Sequence, residues 1–147
     1  MRSALSLIKF FEGFRAQAYL CPAGIPTYGY GETLNVKLGM SITEPEALAL
    51  LETRYDEFEA KVKSMLNVTP TDNQLGALTS FAYNLGPGNL KKSSLLRDFN
   101  AGRVAQAADG FLKWAYAKDP KTKQLVVLPG LMKRRSAERE LFLKVSV

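Results

Sequence analysis

The sequence predicts a predominantly helical α+β fold, in which a small N-terminal β-hairpin lobe, a long connecting helix and a C-terminal helical lobe follow one another. Three observations lead to this prediction. The chain has 147 residues, its apolar residues recur at helical spacing over most of its length, and that spacing disappears only near the N-terminus. We expect a single domain, with the first lobe at about residues 1–60 and the second at about 61–147.

The composition excludes several classes of protein and of chemistry. Hydrophobic residues make up 46% of the chain and charged residues 23%, as is typical of a soluble globule. Cys21 is the single cysteine, which excludes an internal disulfide, and the chain has no His. Zinc sites of the Cys/His kind and Ser/His or Cys/His catalysis are therefore excluded. We expect no metal and no cofactor, so acid–base chemistry must come from carboxylates, the thiol, Tyr or Lys.

The charge is distributed unevenly. Residues 1–60 carry five basic and eight acidic side chains, whereas residues 61–147 carry fifteen and six. The basic half either favours a polyanionic partner, such as nucleic acid, anionic lipid or bacterial cell wall, or serves solubility. No nucleic-acid partner is expected, because the basic residues are not interleaved with aromatic residues in a known pattern.

No stable membrane insertion is expected either. The longest apolar run, Leu125–Leu128, is far shorter than the roughly 20 residues that a spanning helix needs. Lys9 and Glu12 interrupt what could otherwise be the apolar region of a signal peptide. We therefore expect the protein to remain in the cytoplasm of the cell that makes it.

The first lobe is predicted to contain a short helix and a β-hairpin. Ser3 or Ser6 can cap the helix, and Gly13 is placed to end it. From Ala16 to Gly31 the pattern is that of short strands. A five-residue loop over residues 22–26 would place Cys21 and Thr27 opposite each other, with both side chains on one side of the hairpin.

Capping signals locate the helices that follow. Thr43–Glu46 is a capping box that opens a helix of about 22 residues, and Thr71 with Gln74 opens a second helix that ends at Gly86. The remainder is predicted to form three more helices, with a loop at Asp119–Lys121. The first starts at Ser93 or Ser94, the second lies around residues 104–115, and the third extends from Leu131 to Leu143.

Glu12 is the most informative single residue. It lies in the last turn of the first helix, where the helix dipole disfavours a negative charge, and Phe10, Phe11 and Phe14 are its apolar neighbours. Both effects favour the protonated carboxyl that a general acid requires. The alternative is an exposed glutamate that ends a helix and has no catalytic role.

Four segments together resemble one family. Glu12, Cys21 and Thr27 are spaced E-x8-C-x5-T, and Thr27–Gly31 reads Thr-Tyr-Gly-Tyr-Gly. Further along, residues 82–86 read Ala-Tyr-Asn-Leu-Gly, and residues 128–135 read Leu-Pro-Gly-Leu-Met-Lys-Arg-Arg. In this order they resemble the phage-type lysozymes, the muramidases of glycoside hydrolase family 24, over nearly the whole chain. The resemblance implies a lysozyme-like fold.

The resemblance also implies an activity and a catalytic set. The activity is that of a phage endolysin in host-cell lysis. Such an enzyme hydrolyses the β-1,4 bond between N-acetylmuramic acid and N-acetylglucosamine, with inversion. Glu12 would be the general acid, Cys21 the second catalytic residue and Thr27 the residue that holds the attacking water. A thiol is mostly protonated at neutral pH. Cys21 could therefore have a lowered pKa, orient water with Thr27, act as a nucleophile, or be a small buried hydrophobe.

Substrate contacts are expected from two regions. Gly29 and Gly31 lack side chains and would let a sugar ring approach the strand, or they serve the turn alone. Tyr83 and Asn84 would contact substrate from the helical lobe, unless the role of Tyr83 is structural. Glu32 stands where the family commonly has His, so any ion pair of that His is absent and Glu32 adds negative charge near the cleft. The best candidates to hold the anionic wall are four basic residues, Lys133, Arg134, Arg135 and Arg139. The alternative is that they form a solvated helix face in which Arg134 pairs with Glu138 at i,i+4.

The expected partners follow from the same resemblance. They are bacterial peptidoglycan as substrate and a holin that releases a monomeric enzyme from the host cytoplasm to the wall. Two other functions remain open on the sequence, a lytic transglycosylase and a non-catalytic wall-binding module. The first uses no attacking water, and the second would bind walls without cutting them.

Overall fold

The structure, a computed structural model, describes residues 2–145. Within that range the chain forms two compact units. One is Leu5–Glu57, here called the hairpin unit, and the other, here called the helical unit, comprises residues 2–4 and 58–145. The observed class is the predicted one, because most residues are helical and the strands form only two-stranded sheets.

The hairpin unit begins with the predicted short helix. Helix α1 covers Leu5–Glu12, and the N–H of Gly13 donates to Lys9 O at 3.0 Å as the helix ends. Gly13 has φ +70°, a left-handed conformation that glycine adopts without steric cost. Glu12 is therefore the last helical residue, as the sequence predicts.

A two-stranded antiparallel sheet follows directly. Strand β1 covers Arg15–Leu20 and β2 covers Pro26–Gly29, with Arg15 opposite Gly29 and Leu20 opposite Pro26. The other edge of β1 is covered by residues 40–42, because the N–H of Ala18 donates to Met40 O at 2.9 Å. Strand β1 therefore lies between β2 on one edge and residues 40–42 on the other.

The predicted register of this hairpin is wrong. The loop that closes it is three residues long, because the N–H of Cys21 donates to Ile25 O at 3.1 Å and the N–H of Gly24 donates to Cys21 O at 2.8 Å. Gly24 has φ +77°, which lets a tight turn end in a bulge. Pro26 consequently belongs to β2, and Thr27 lies opposite Tyr19 instead of Cys21.

The long helix has the predicted position and length. Helix α2 covers Glu44–Ser64 and has 21 residues. The N–H of Glu46 donates to Thr43 Oγ1 at 3.4 Å, and Thr43 N–H donates back to Glu46 Oε1 at 3.2 Å, so the capping box is present.

Helix α3, Asp72–Leu85, lies at the centre of the helical unit. Thr71 and Gln74 form its capping box, and every residue from Leu75 to Ala82 is buried. Phe81 packs edge-on against Phe111 and against Trp114, with ring centroids 5.9 and 5.5 Å apart. A helix that is buried on all sides needs packing partners all round. Helices α4 (Pro87–Lys92) and α7 (Pro129–Leu143) pack against α3, and Phe81 contacts a 3₁₀ helix (Phe111–Trp114). Helices α5 (Ser94–Asn100) and α6 (Val104–Gly110) complete the unit.

Two features of this unit were not predicted. Helix α4 follows Gly86 directly, with Pro87 as its first residue, a position at which the missing N–H costs no hydrogen bond. The second is a β-hairpin of β3, Tyr116–Lys118, and β4, Leu125–Val127, where the sequence predicts only a loop between helices. Helix α7 also begins two residues earlier than predicted, at Pro129.

Candidate functional site

The tip of the first hairpin brings Cys21 and Thr27 together. Cys21 lies opposite Ile25, and Thr27 is two residues further along the facing strand, so both side chains point to the same side. Cys21 is half-buried, whereas Thr27 is only 4% exposed. The two residues are diagonal neighbours on this side of the hairpin.

The loop lowers the pKa of the Cys21 thiol below its ordinary value. The main cause is a hydrogen bond from the backbone N–H of Ile25, followed by one from Ala23, and the Thr27 hydroxyl adds a smaller contribution. Partial burial opposes these effects. Backbone N–H groups that converge on sulfur favour the thiolate, which is the form that can accept a proton.

Thr27 has a defined hydrogen-bonding role in this loop. Its hydroxyl donates to Ile25 O at 2.9 Å. A hydroxyl has one proton and two lone pairs, so the oxygen still accepts a hydrogen bond from another donor. A water molecule that reaches Thr27 can therefore donate to Oγ1 and keep its own lone pairs free.

Glu12 lies in the same unit as Cys21 and Thr27. It is half-buried at the end of α1, three residues before Arg15, which pairs with Gly29 of β2. Phe14 packs on Tyr30 with ring centroids 5.7 Å apart, and Phe10 is 79% exposed.

The glycines of β2 pack closely against the rest of the unit. Gly29 has φ +63°, and a Cβ added there would lie 3.1 Å from Ala47 Cβ in α2. The missing side chain therefore allows α2 to pack against the strand, a reason that the sequence did not suggest. Gly31 has φ +85°, which glycine adopts more easily than any other residue.

The charge that Glu32 adds is paired with an arginine of the long helix. Arg54 of α2 forms a fork with it, with Nη2 3.0 Å from Oε1 and Nε 3.1 Å from Oε2. The N–H of Leu34 also donates to Glu32 Oε1 at 3.1 Å, and Glu32 is only 8% exposed. Arg54 lies 3.1 Å from Glu57 as well. The negative charge of Glu32 is therefore neutralised by an arginine from the long helix.

Tyr83 and Asn84 lie in the helical unit, near the end of α3. Tyr83 packs against Phe58 with ring centroids 5.3 Å apart, and both residues are half-buried. Asn84 Oδ1 accepts a hydrogen bond of 2.6 Å from Arg135 Nη2. Because an arginine can only donate, the amide oxygen must face Arg135, and the NH₂ group of Asn84 is left for other partners.

Burial contradicts both the wall-binding role and the solvated face expected for Arg134 and Arg135, whereas the pair of Arg134 with Glu138 is confirmed. Both are buried against Glu138, with Arg134 Nε 3.3 Å and Arg135 Nε 2.8 Å from its carboxylate. Ser80 Oγ donates to Glu138 Oε2 at 2.6 Å. These arginines satisfy a buried carboxylate and cannot reach a polymer in solution.

The other two basic candidates differ from this pair. Arg139 is half-buried and forms an ion pair of 2.9 Å with Asp109, whereas Lys133 is exposed.

Among residues 2–145, His, Cys, Asp and Glu side chains form no group of three or more that could hold a metal ion.

Comparison with known proteins gives a consistent result. Residues 9–138 match the family described as phage lysozyme. The chain is 40% identical to the endolysin of Acyrthosiphon pisum secondary endosymbiont phage 1 over 138 residues, which cover 94% of this chain and 93% of that relative. It is 36% identical to the endolysin of Salmonella phage P22 over 147 residues, covering 96% of this chain and 95% of that relative.

A solved structure has the same fold. The muramidase domain of SpmX from Asticaccaulis excentricus superimposes with a TM-score of 0.92 at 36% identity, covering 99% of this chain and 97% of that one. The similarity therefore extends over both units.

Proposed function

This chain belongs to the phage lysozyme family and is a glycoside hydrolase that lyses peptidoglycan, and we propose that it cleaves the β-1,4 bond between N-acetylmuramic acid and N-acetylglucosamine with inversion. In such a reaction a carboxylic acid protonates the leaving oxygen while a water attacks from the opposite face of the sugar. The proposal assigns these two tasks to different ends of strand β1.

Glu12 is the proposed general acid. Its proton passes to the glycosidic oxygen as the bond from that oxygen to the anomeric carbon breaks. Glu12 is only half-buried, so it can exchange protons with solvent between turnovers. Removing a general acid typically lowers the rate by about 10²–10⁴-fold, and this is the loss expected for Glu12→Gln.

Thr27 and Cys21 are proposed to hold and activate the water. The water donates one hydrogen bond to Thr27 Oγ1, its oxygen bonds to the anomeric carbon, and its other proton passes to the Cys21 thiolate. Of the roles open on the sequence, this one is supported by the lowered pKa of Cys21. It does not need a covalent intermediate at sulfur.

The substrate contacts are part of the same proposal. Asn84 would donate its NH₂ group to a carbonyl oxygen of the substrate, because Arg135 already occupies the amide oxygen. Tyr83 would offer a ring face to a sugar, and Gly29 and Gly31 would line the strand side. Arg135→Lys is expected to raise KM more than it lowers kcat, because it frees the amide of Asn84 to rotate.

The placement of Cys21 and Thr27 on one side of the hairpin tip carries the proposal, and product analysis tests it. Purified peptidoglycan is digested in water enriched in heavy oxygen. We expect label on the new reducing end of muramic acid, first in the inverted anomer. Anhydro-muramoyl ends would instead identify a lytic transglycosylase, and a retained anomer would favour attack by the thiol.

Matched variants separate chemistry from binding. Glu12→Gln should stop the clearing of a bacterial wall suspension but leave sedimentation with walls intact, whereas a loss of both would indicate a binding or folding defect. Cys21→Asp and Thr27→Ser should keep measurable activity, because each retains a group that can hold water. Cys21→Ala and Thr27→Val should lose most of it, and equal activity of all variants would contradict the water-holding role.

Release to the wall is the last part of the proposal. We propose that the enzyme acts as a monomer and leaves the host cytoplasm through a holin. Expression of this chain in bacteria should lower culture turbidity only when a holin is expressed with it. Turbidity loss without a holin would refute this route, and light scattering of the purified protein tests the monomer.

A further inference from the structure

The second hairpin displays apolar side chains to solvent. Tyr116 is 47% exposed, Leu125 is 72% exposed and Val127 is 44% exposed. Side chains of this kind usually pack inside a protein or against a partner. The catalytic proposal does not use any of them.

The register gathers these side chains on one face. Tyr116 lies opposite Val127 and Lys118 lies opposite Leu125, so the four side chains project to the same side of the two strands. We call these four residues the hairpin face. It consists of three exposed apolar groups beside one exposed lysine.

The loop that joins the strands is well ordered by hydrogen bonds. Asp119 N–H donates to Gln124 O at 2.8 Å, and the Asp119 carboxylate accepts from Lys121 N–H at 2.8 Å. The acidic side chain is therefore used within the turn. The hairpin is a defined structural element that can present its face to a partner without further ordering.

The surroundings of the hairpin face are basic. The segment from residue 113 to residue 133 contains five lysines and a single acidic residue, Asp119. All five are exposed: Lys113, Lys118, Lys121, Lys123 and Lys133. This segment therefore combines exposed apolar side chains with positive charge, and Lys118 belongs to the hairpin face itself.

We propose that the hairpin face docks on the surface of an anionic phospholipid bilayer. The lysines would lie among the lipid phosphates while Tyr116, Leu125 and Val127 enter the boundary between headgroups and acyl chains. An anionic wall polymer would match the lysines equally well, but it offers no apolar surface for Leu125. The apolar residues therefore favour lipid.

This binding is peripheral and reversible. The hairpin face is formed by strands of three residues each, which reach only the boundary between headgroups and acyl chains. Among residues 2–145 no helix has the length and apolarity of a membrane span. Each lysine near an anionic membrane raises the partition coefficient by about fivefold, and salt weakens this attraction. The apolar side chains add a contribution that salt does not remove.

Vesicle flotation tests the proposal without any peptidoglycan, so its outcome is independent of the catalytic proposal. The full chain is mixed with vesicles of phosphatidylcholine containing phosphatidylglycerol, and separately with vesicles of pure phosphatidylcholine. We expect flotation with the anionic vesicles and much less with the neutral ones. No flotation with anionic vesicles, or equal flotation with both, overturns the proposal.

Variants of the hairpin face identify the contact. Leu125→Gln should lower partitioning by about tenfold, and Lys118→Gln by about fivefold. The matched controls are Leu38→Gln and Lys37→Gln, at an exposed leucine and an exposed lysine in the hairpin unit, and they should float as the unmodified protein does.

Two outcomes of the variant series would overturn the proposal. Equal loss in the controls would mean that the hairpin face is not the contact. Loss with Lys118→Gln but not with Leu125→Gln would indicate a purely electrostatic contact, as expected for a wall polymer. The fluorescence of Trp114, the single tryptophan, is the folding control, since it packs on Phe81 in the core of the same unit.

Discussion

Gly29→Ala and Gly13→Ala form a matched pair that tests the packing of α2 against β2. Both glycines have a positive φ, +63° and +70°, so an alanine is strained by about 1–2 kcal/mol at either position. Only at Gly29 does the new Cβ meet a neighbour, Ala47 Cβ at 3.1 Å, whereas nothing lies within 4 Å at Gly13. The difference between the two variants is therefore the packing contribution.

The expected magnitudes follow from these distances. Overpacking costs about 1–3 kcal/mol, so Gly29→Ala should lower the free energy of unfolding by about 2–5 kcal/mol. Gly13→Ala should lower it by about 1–2 kcal/mol. Ala47→Gly removes the atom that the new Cβ would meet. The double variant with Gly29→Ala should therefore be less destabilised than the two single changes added together.

Urea unfolding followed by far-ultraviolet circular dichroism measures these values. Equal losses for Gly29→Ala and Gly13→Ala, or strict additivity of Gly29→Ala with Ala47→Gly, would refute the packing argument. A higher KM for Gly29→Ala without loss of stability would instead support the substrate role that the sequence suggests for this glycine.

Three further predictions concern charges in the hairpin unit. Alkylation of Cys21 by iodoacetamide should reach half its maximal rate at a lower pH in folded protein than in urea, because the folded pKa is lowered; coincident curves would contradict this. The thiolate then stabilises the fold at pH above the unfolded pKa, and this stability is lost as pH falls through the folded pKa. Glu32→Gln should cost about 1–2 kcal/mol in urea unfolding, but exposed Glu57→Gln only about 0.5 kcal/mol. Burial, followed by Glu44, raises the pKa of Tyr30. Ultraviolet titration should therefore show one tyrosine that ionises at a higher pH than the others, and its absence would contradict the burial of this ring.

Local signals predicted much of the fold. Thr43 and Thr71 identified helix starts correctly because a capping box satisfies backbone groups within four residues, and such an interaction is visible in sequence. The end of α1 was predicted from Gly13, because a glycine that ends a helix is also a local signal in the sequence. The hairpin register was wrong because loop length depends on Gly24, whose positive φ closes the turn two residues earlier than expected.

Long-range pairing could not be predicted. Nothing near Glu32 indicates that Arg54, 22 residues later, would neutralise it, because the pair forms only when α2 packs beside the hairpin. The i,i+4 spacing did indicate the pair of Arg134 with Glu138, but nothing local indicates that Ser80 of α3 also bonds to Glu138 or that these residues are buried.

The second hairpin did have a sequence signal. Leu125–Val127 is rich in strand-forming residues, and Asp119 precedes a proline at the turn. The first strand is only three residues long, so no alternation was visible. For the candidate site, the motif spacing indicated Glu12, Cys21 and Thr27. The lowered pKa of Cys21 could not be predicted, because it depends on N–H groups that the folded loop brings to the sulfur.

The complete enclosure of α3 has a consequence for how the helical unit opens. Amides in the middle of that helix, from Gly76 to Ala82, have no path to solvent through fraying at a surface. Their deuterium uptake should therefore require opening of the entire unit, and they should be the slowest amides in the chain. Thr79 reinforces this, since its hydroxyl donates to Leu75 O at 2.7 Å inside the helix. A protease that cuts within this helix must wait for the same global event.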